Sequence, residues 1–236
     1  MILDSYSLHS LIVQFRYPNA FELWDRAGAI ARRVAAIWPG LELTDADPRQ
    51  QTLRGNGVQL QTSIDTATVT LRRPKTLDAR KIQQIKETFD VWRQSLELEN
   101  AERVSTRGVY AKDYRSIREA NAALFAMNLI RWPTTKVFDQ PLDAELNSVD
   151  LQYRFEDTNS FSFLRLKSEH VKYEVDLDAE FVDQTEIRGE KCRLVIDFDR
   201  GLLGSVSTDK FRMDDWLKGF QHLLRRDLEK VIGSQS

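Results

Sequence analysis

Hydrophobic residues recur with two different periods along this chain. A period of two puts alternate side chains on opposite faces of a strand. It marks Leu11, Val13 and Phe15, then Val58, Leu60, Thr62 and Ile64, then Val69 and Leu71, and then the run from Val104 to Ala111. It returns at Val149, Leu151, Tyr153 and Phe155, around Phe161 to Leu166, at Val171, Tyr173, Val175 and Leu177, and at Leu194, Ile196 and Phe198. A helical period marks Phe21, Trp24, Ala31, Ala35 and Trp38, and most clearly Ile82, Ile85, Phe89, Trp92 and Leu96. Two further helices follow from Ile117, Ala120, Leu124, Met127 and Ile130, and from Trp216, Phe220, Leu224, Leu228 and Val231.

Punctuation between these segments sets their order. Asn19 with Glu22, and Ser116 with Glu119, have the spacing of helix capping boxes. Pro39-Gly40 and Trp132-Pro133 stop helices. Thr44 to Gly57 reads as a loop, Gly108 as a break within its strand, and Asp178 to Glu190 as an acidic loop. Arg200-Gly201-Leu202-Leu203-Gly204 reads as a turn. The first half then runs strand, helix, strand, strand, helix, strand, the split β-α-β order of ferredoxin-like folds. The second half reads as a helix, a four-strand antiparallel meander and a long C-terminal helix. The expected class is α+β, with antiparallel sheets packed against helices. A ferredoxin-like lobe over 1–115 and a second lobe over 116–236 are expected, meeting near the connection from Thr134 to Leu146 or forming one continuous domain.

Composition narrows the function classes. Hydrophobic residues at 42% and charged residues at 30% are enough for a packed core and argue against global disorder. The 34 basic and 36 acidic residues give a net charge of −2, so no global basic balance points to nucleic acid. The lone Cys192 excludes an internal disulfide and a cysteine zinc site, and reads as a small apolar residue. No apolar run is long enough to cross a bilayer, and Asp4, Ser5, Ser7 and His9 interrupt any secretion-signal pattern at the N-terminus. The expected setting is cytoplasmic, with no membrane partner.

Three stretches carry a likeness to other proteins. They are Leu11-Ile12-Val13-Gln14-Phe15-Arg16-Tyr17, the Arg-centred run from Arg103 through Arg107 to Tyr114, and Leu194-Val195-Ile196-Asp197-Phe198-Asp199 ahead of a long helix. In these the chain resembles a sporadically distributed family of bacterial proteins of unknown function and similar length. Where that family has an Arg-Tyr-Ile-Asn type of run, this chain has Arg107-Gly108-Val109-Tyr110. The resemblance implies a fold and a bacterial setting, and no catalytic residues.

The sharpest chemical pattern is a repeated Asp-x-Asp. Asp176 and Asp178 end one expected strand, and Asp197 and Asp199 end another. Residues two apart share a face, so four carboxylates converging from neighbouring strands would suit Mg²⁺ or Mn²⁺ in phosphoryl transfer. The plainer reading puts these aspartates on the wet face opposite Leu177 and Phe198. His9, His170 and His222 have no partner at metal-ligand spacing, and no phosphate-binding glycine loop or dinucleotide fingerprint occurs. No cofactor is expected. Arg72, Arg73 and Lys75, with Arg103 and Arg107 on a neighbouring strand, are candidates for contacting phosphates. Trp24, Trp38, Trp92 and Trp216 fall on helical apolar stripes and read as core, whereas Trp132 beside Pro133 is free to anchor a partner, with Tyr153 and Tyr173 extending its surface. The leading expectation is a non-catalytic cytoplasmic binding or regulatory protein that acts through a macromolecular partner, a second protein or another copy of itself. The alternatives are a metal-dependent nuclease or nucleotidyltransferase using the paired aspartates, and a nucleic-acid-binding protein.

Overall fold

The segments of period two pair side by side into one antiparallel sheet. The computed structural model describes residues 2–130, 146–175 and 187–232. After a short 3-10 turn at Ile2–Ser5, the elements in order are β1 (Ser7–Arg16), α1 (Leu23–Ile37), β2 (Glu42–Asp47), β3 (Gln50–Gly55), β4 (Val58–Ser63), β5 (Thr66–Lys75) and α2 (Ala79–Ser95). They continue with β6 (Asn100–Tyr114), α3 (Ile117–Phe125), β7 (Val149–Glu156), β8 (Ser160–Val175), β9 (Ile187–Ser207) and α4 (Met213–Ile232). The nine strands lie in the order β2-β3-β4-β5-β1-β6-β9-β8-β7. The class is α+β, as the periodicity predicts. The β6–β9 pairing carries the sheet without interruption from the first half of the chain into the second.

The helices pack on one face of this sheet. Phe15 of β1 stacks on Phe89 of α2, Phe198 of β9 lies against Phe220 of α4, and Asn121 of α3 meets Ser168 of β8. The expected stripe of α2 is buried along its whole length: Ile82, Ile85, Phe89, Trp92 and Leu96 are all core residues. Asp78 caps that helix by accepting from the Lys81 N–H, and Ser116 caps α3 by accepting from the Glu119 N–H. Among the described residues, no helix is long and apolar enough to cross a membrane.

Five sequence expectations need correction. The stretch from Thr44 to Gly57 is mostly the β2–β3 hairpin rather than a loop. All of β2 is exposed and carries no alternation, so pairing with β3 decides its conformation. The expected four-strand meander has three strands, because Phe161 to Leu166 and Val171 to Val175 belong to β8. A polar residue at a core position concealed that continuity: Ser168 is fully buried, its Oγ donating to Asn121 Oδ1 and accepting from the Val149 N–H. Asp197 and Asp199 lie within β9 and do not end it, and the expected turn at Arg200 to Gly204 is strand. Gly201 serves close approach there, since a Cβ on it would fall 2.2 Å from the Phe161 ring. Gly108 likewise leaves β6 unbroken and makes room for the Phe220 ring.

Helix α1 also departs from its expected stripe. No side-chain cap forms at Glu22, and the helix begins at Leu23. Its buried face is Leu23, Ile30 and Val34, which leaves Trp24 57% exposed. Trp24 is therefore not a core residue; its ring meets that of Phe21, itself 52% exposed, at 5.3 Å. Trp38, Trp92 and Trp216 are buried as expected.

Candidate functional site

Strand register decides what each face of the sheet presents. One row runs through all nine strands as Asp45, Thr52, Gln61, Thr68, Gln14, Ser105, Gly201, Phe161 and Glu156. The next row on the same side is Glu42, Arg54, Gln59, Thr70, Ile12, Arg107, Asp199, Phe163 and Arg154. Among the described residues, no helix covers this side. From β3 through β1 it is mostly threonine and glutamine, with Arg54 and Ile12 among them. From β6 to β7 it carries charges of both signs and two phenylalanines.

The charged half has a closely bonded centre. Arg107 donates from Nε to Asp197 Oδ1 at 2.8 Å and from Nη2 to Oδ2 at 2.6 Å, a two-pronged ion pair. Only 7% of the Asp197 side chain is exposed, against 47% for Arg107, so the guanidinium roofs the carboxylate. The pairing raises the Arg107 pKa, its hydrogen bonds to Asp197 being the leading cause. Arg165 holds Asp150 in the same two-pronged way, and Glu169 takes Arg193 and Lys167. Charges on this half are neutralised from within.

Asp199 is the exception. Its register partners are Arg107 and Phe163, and its Oδ1 is buried with no hydrogen-bond partner among the described residues. Burial raises its pKa, against the attraction of Arg103 and Arg107. Arg103 sits close by, its guanidinium 4.7 Å over the Phe161 ring and its Nε buried and without a hydrogen-bond partner among the described residues. Phe161 itself lies across Gly201. The arrangement holds a costly carboxylate in a mostly closed setting.

The sequence candidates are thus dispersed. Asp197 and Arg107 had been assigned to different chemistries, metal binding and phosphate contact, yet they bind each other. Asp176 and Asp178 lie outside the described residues, as do Trp132 and the side chain of Tyr173. Among the described residues, no three His, Cys, Asp or Glu side chains gather as metal ligands. His170 pairs with Glu190. Tyr153 is half-buried on the edge strand β7. Strand β1 separates β5 from β6, so Arg72 and Arg107 are not on neighbouring strands.

Arg72 and Arg73 instead line a cleft of about 480 Å³ with Arg80 and Lys81 of the first turn of α2. Arg73 and Lys75 both have left-handed backbone, with φ of 50° and 60°, and Lys75 lies outside that cleft. A second cleft, about 500 Å³ and polar, opens at the other end of β5 around Gln14, Gln61, Thr66 and Thr68. Sequence reasoning missed the exposed Phe21–Trp24 pair, because α1 is apolar over a wide arc and offers two plausible stripes.

Comparison with known proteins finds no matching family and no matching curated relative. A solved structure described as "Structure of crystal form I of TP0453" is similar at 9% identity over 91% of this chain and 94% of that one, with a TM-score of 0.18. That value is too low to carry an inference about fold or function.

Proposed function

We propose that this is a non-catalytic, cytoplasmic binding or regulatory protein that docks a macromolecular partner on the uncovered face of its sheet. The carrying observation is that face: nine strands present a broad polar surface with no helix layer among the described residues, while the opposite face carries the helices and the core. The ion pairing of Asp197 with Arg107 adds support, since it occupies a carboxylate that metal-assisted chemistry would need free. The polar cleft at Gln14, Gln61 and Thr68 offers a partner hydrogen-bonding groups that are not already consumed by charge pairs. The test is capture of a partner from the native host on tagged protein, repeated with Thr68→Arg. A stoichiometric partner lost on that substitution supports the reading. A partner retained by a folded variant sinks it.

A second reading has its own observation. Arg72, Arg73, Arg80 and Lys81 line one cleft with a single carboxylate, Asp78, which pairs with Lys81, and two of these cations occupy a helix first turn, where the macrodipole disfavours them. Such a cluster suits a phosphate-bearing polymer. A labelled oligonucleotide should then bind with strong salt dependence and weaken on Arg73→Glu; binding unaffected by either would dismiss it.

The finer architecture belongs to the same reading. Strands β1, β4, β5 and β6 with α1 and α2 follow the split β-α-β order, and their sheet order β4-β5-β1-β6 supports a ferredoxin-like unit carrying β2–β3 as an insertion. On this view residues 116–236 extend that unit rather than stand beside it, in keeping with the likeness to the bacterial family.

A further inference from the structure

The two edges of the sheet are guarded differently. At one edge β2 is six residues long, has a register shift between Leu43 and Asp45, and bears three carboxylates, at Glu42, Asp45 and Asp47. These are standard devices against edge pairing. At the other edge, among the described residues, β7 is eight residues long, pairs with β8 without a register shift, and contains no proline, glycine or lysine. Its three charges, Asp150, Arg154 and Glu156, are of both signs, so they do not repel an identical strand as the three carboxylates of β2 do.

The backbone direction of β7 can be read from both of its ends. The Val149 N–H donates to Ser168 Oγ, and the Asp157 N–H just beyond the strand donates to the Ser160 carbonyl. Odd-numbered residues therefore turn their backbone groups toward β8. Because these groups alternate along an antiparallel strand, Asp150, Gln152, Arg154 and Glu156 direct their N–H and C=O outward.

We infer that β7 pairs with β7 of a second copy of this chain, antiparallel, about a two-fold axis through Gln152. This deepens the macromolecular-partner reading and rests on it. The side chains select the occupant and the register. With Gln152 facing itself, Asp150, which also takes Arg165 of its own chain, lies opposite Arg154 of the second copy, which also takes Glu156 of its own, so the pairing extends two existing ion pairs into one network on each side of the axis. On the helix-covered side Leu151 faces Tyr153, and Val149 faces Phe155, which is 57% exposed in the single chain. Shifting the axis to Tyr153 would set Asp150 against Glu156. Shifting it to Leu151 would lose the Asp150–Arg154 match. Pairing about Gln152 satisfies about six outward backbone groups in hydrogen-bonded pairs and joins two nine-stranded sheets into one, with both polar faces on the same side.

The test uses the full chain and reads mass by sedimentation over a concentration series. A concentration-dependent dimer is expected, and Gln152→Pro should abolish it while leaving the far-UV circular dichroism unchanged, because that N–H is not bonded to β8. A cysteine at the axis provides an independent check. In a Cys192→Ser background, Gln152→Cys should form a disulfide-linked dimer under mild oxidant, since self-facing residues of a hydrogen-bonded pair have Cα atoms ~5.5 Å apart. Asp150→Cys and Tyr153→Cys should not. A monomer at every concentration, a dimer that survives Gln152→Pro, or equal crosslinking at all three positions would overturn the inference. So would a chain that is monomeric alone but loses a different protein on Gln152→Pro. None of these outcomes bears on docking at Thr68, which has its own assay.

Discussion

The two faces of one sheet obey different rules within a single residue step. On the covered side, one row reads Leu53, Leu60, Val69, Val13 and Thr106, and even its polar member is spent on packing, because Thr106 Oγ1 accepts from the Trp216 indole N–H at 2.8 Å. One step along each strand, the other side reads Arg54, Gln59, Thr70, Ile12, Arg107 and Asp199. The first row stabilises the fold by excluding water. The second contains in Asp199 a buried acceptor without a partner among the described residues, and in Arg107 one half of a two-pronged ion pair whose net worth is small once desolvation is counted. On the docking reading proposed above, that expense serves binding rather than stability.

The largest effect should come from the covered side. Phe220 is fully buried, its ring 5.1 Å from that of Phe198 and seated over Gly108. Phe220→Ala should cost about 3–5 kcal/mol, seen as a lower urea midpoint with an unchanged slope. Next comes the ionic centre, where the two partners are not equivalent. Arg107→Ala strands a buried carboxylate, whereas Asp197→Ala frees a guanidinium that is already half in water. Arg107→Ala should cost about 2 kcal/mol and Asp197→Ala about half of that. Equal costs in the two variants would mean that the roofing of Asp197 has no energetic consequence.

How legible all this was depended on which face a residue occupies. The covered face was read well from sequence wherever apolar residues were unbroken, as along α2 and through Trp216, Phe220, Leu224 and Leu228. It was misread where a buried residue was polar: Ser168, tied to Asn121, split one strand into two on paper. Glycines misled in the same way, for Gly108 and Gly201 admit rings rather than bend the chain. The uncovered face was legible residue by residue but not in combination. Arg107 and Asp197 are ninety positions apart, and their pairing follows from the β6–β9 register, which no local pattern encodes. The left-handed backbone at Arg73 and Lys75 flanks Pro74 and leaves no compositional trace beyond that proline.

Asp199 turns the comparison into a titration. Its pKa is raised in the folded protein relative to the unfolded chain. The folded state therefore binds the proton more tightly. Stability from this group is fully present below the ordinary carboxylate value and is lost as pH rises through the raised one. Asp199→Asn should flatten that part of the pH–stability curve and raise stability at neutral pH. A variant less stable than the parent at neutral pH would mean that attraction to Arg103 and Arg107 outweighs burial.

The smallest expected stability effect belongs to the threonine and glutamine half of the uncovered face, and it separates the two sides most sharply. Thr68 lies between Gln14 and Gln61 in register and borders the polar cleft, with no helix above it among the described residues. Thr68→Ala should change the unfolding free energy by no more than about 0.5 kcal/mol, the range for a surface position without a special role in the fold. Val69, its neighbour in β5, is fully buried on the other side, and Val69→Ala should cost about 2 kcal/mol or more. If the uncovered face is a docking surface, partner affinity reverses this ranking. Thr68→Ala should weaken binding severalfold at unchanged stability, and Val69→Ala should affect binding only through the fraction of protein unfolded. Parallel urea titrations and partner titrations on the two variants would decide it, and equal binding losses would deny the uncovered face any role of its own.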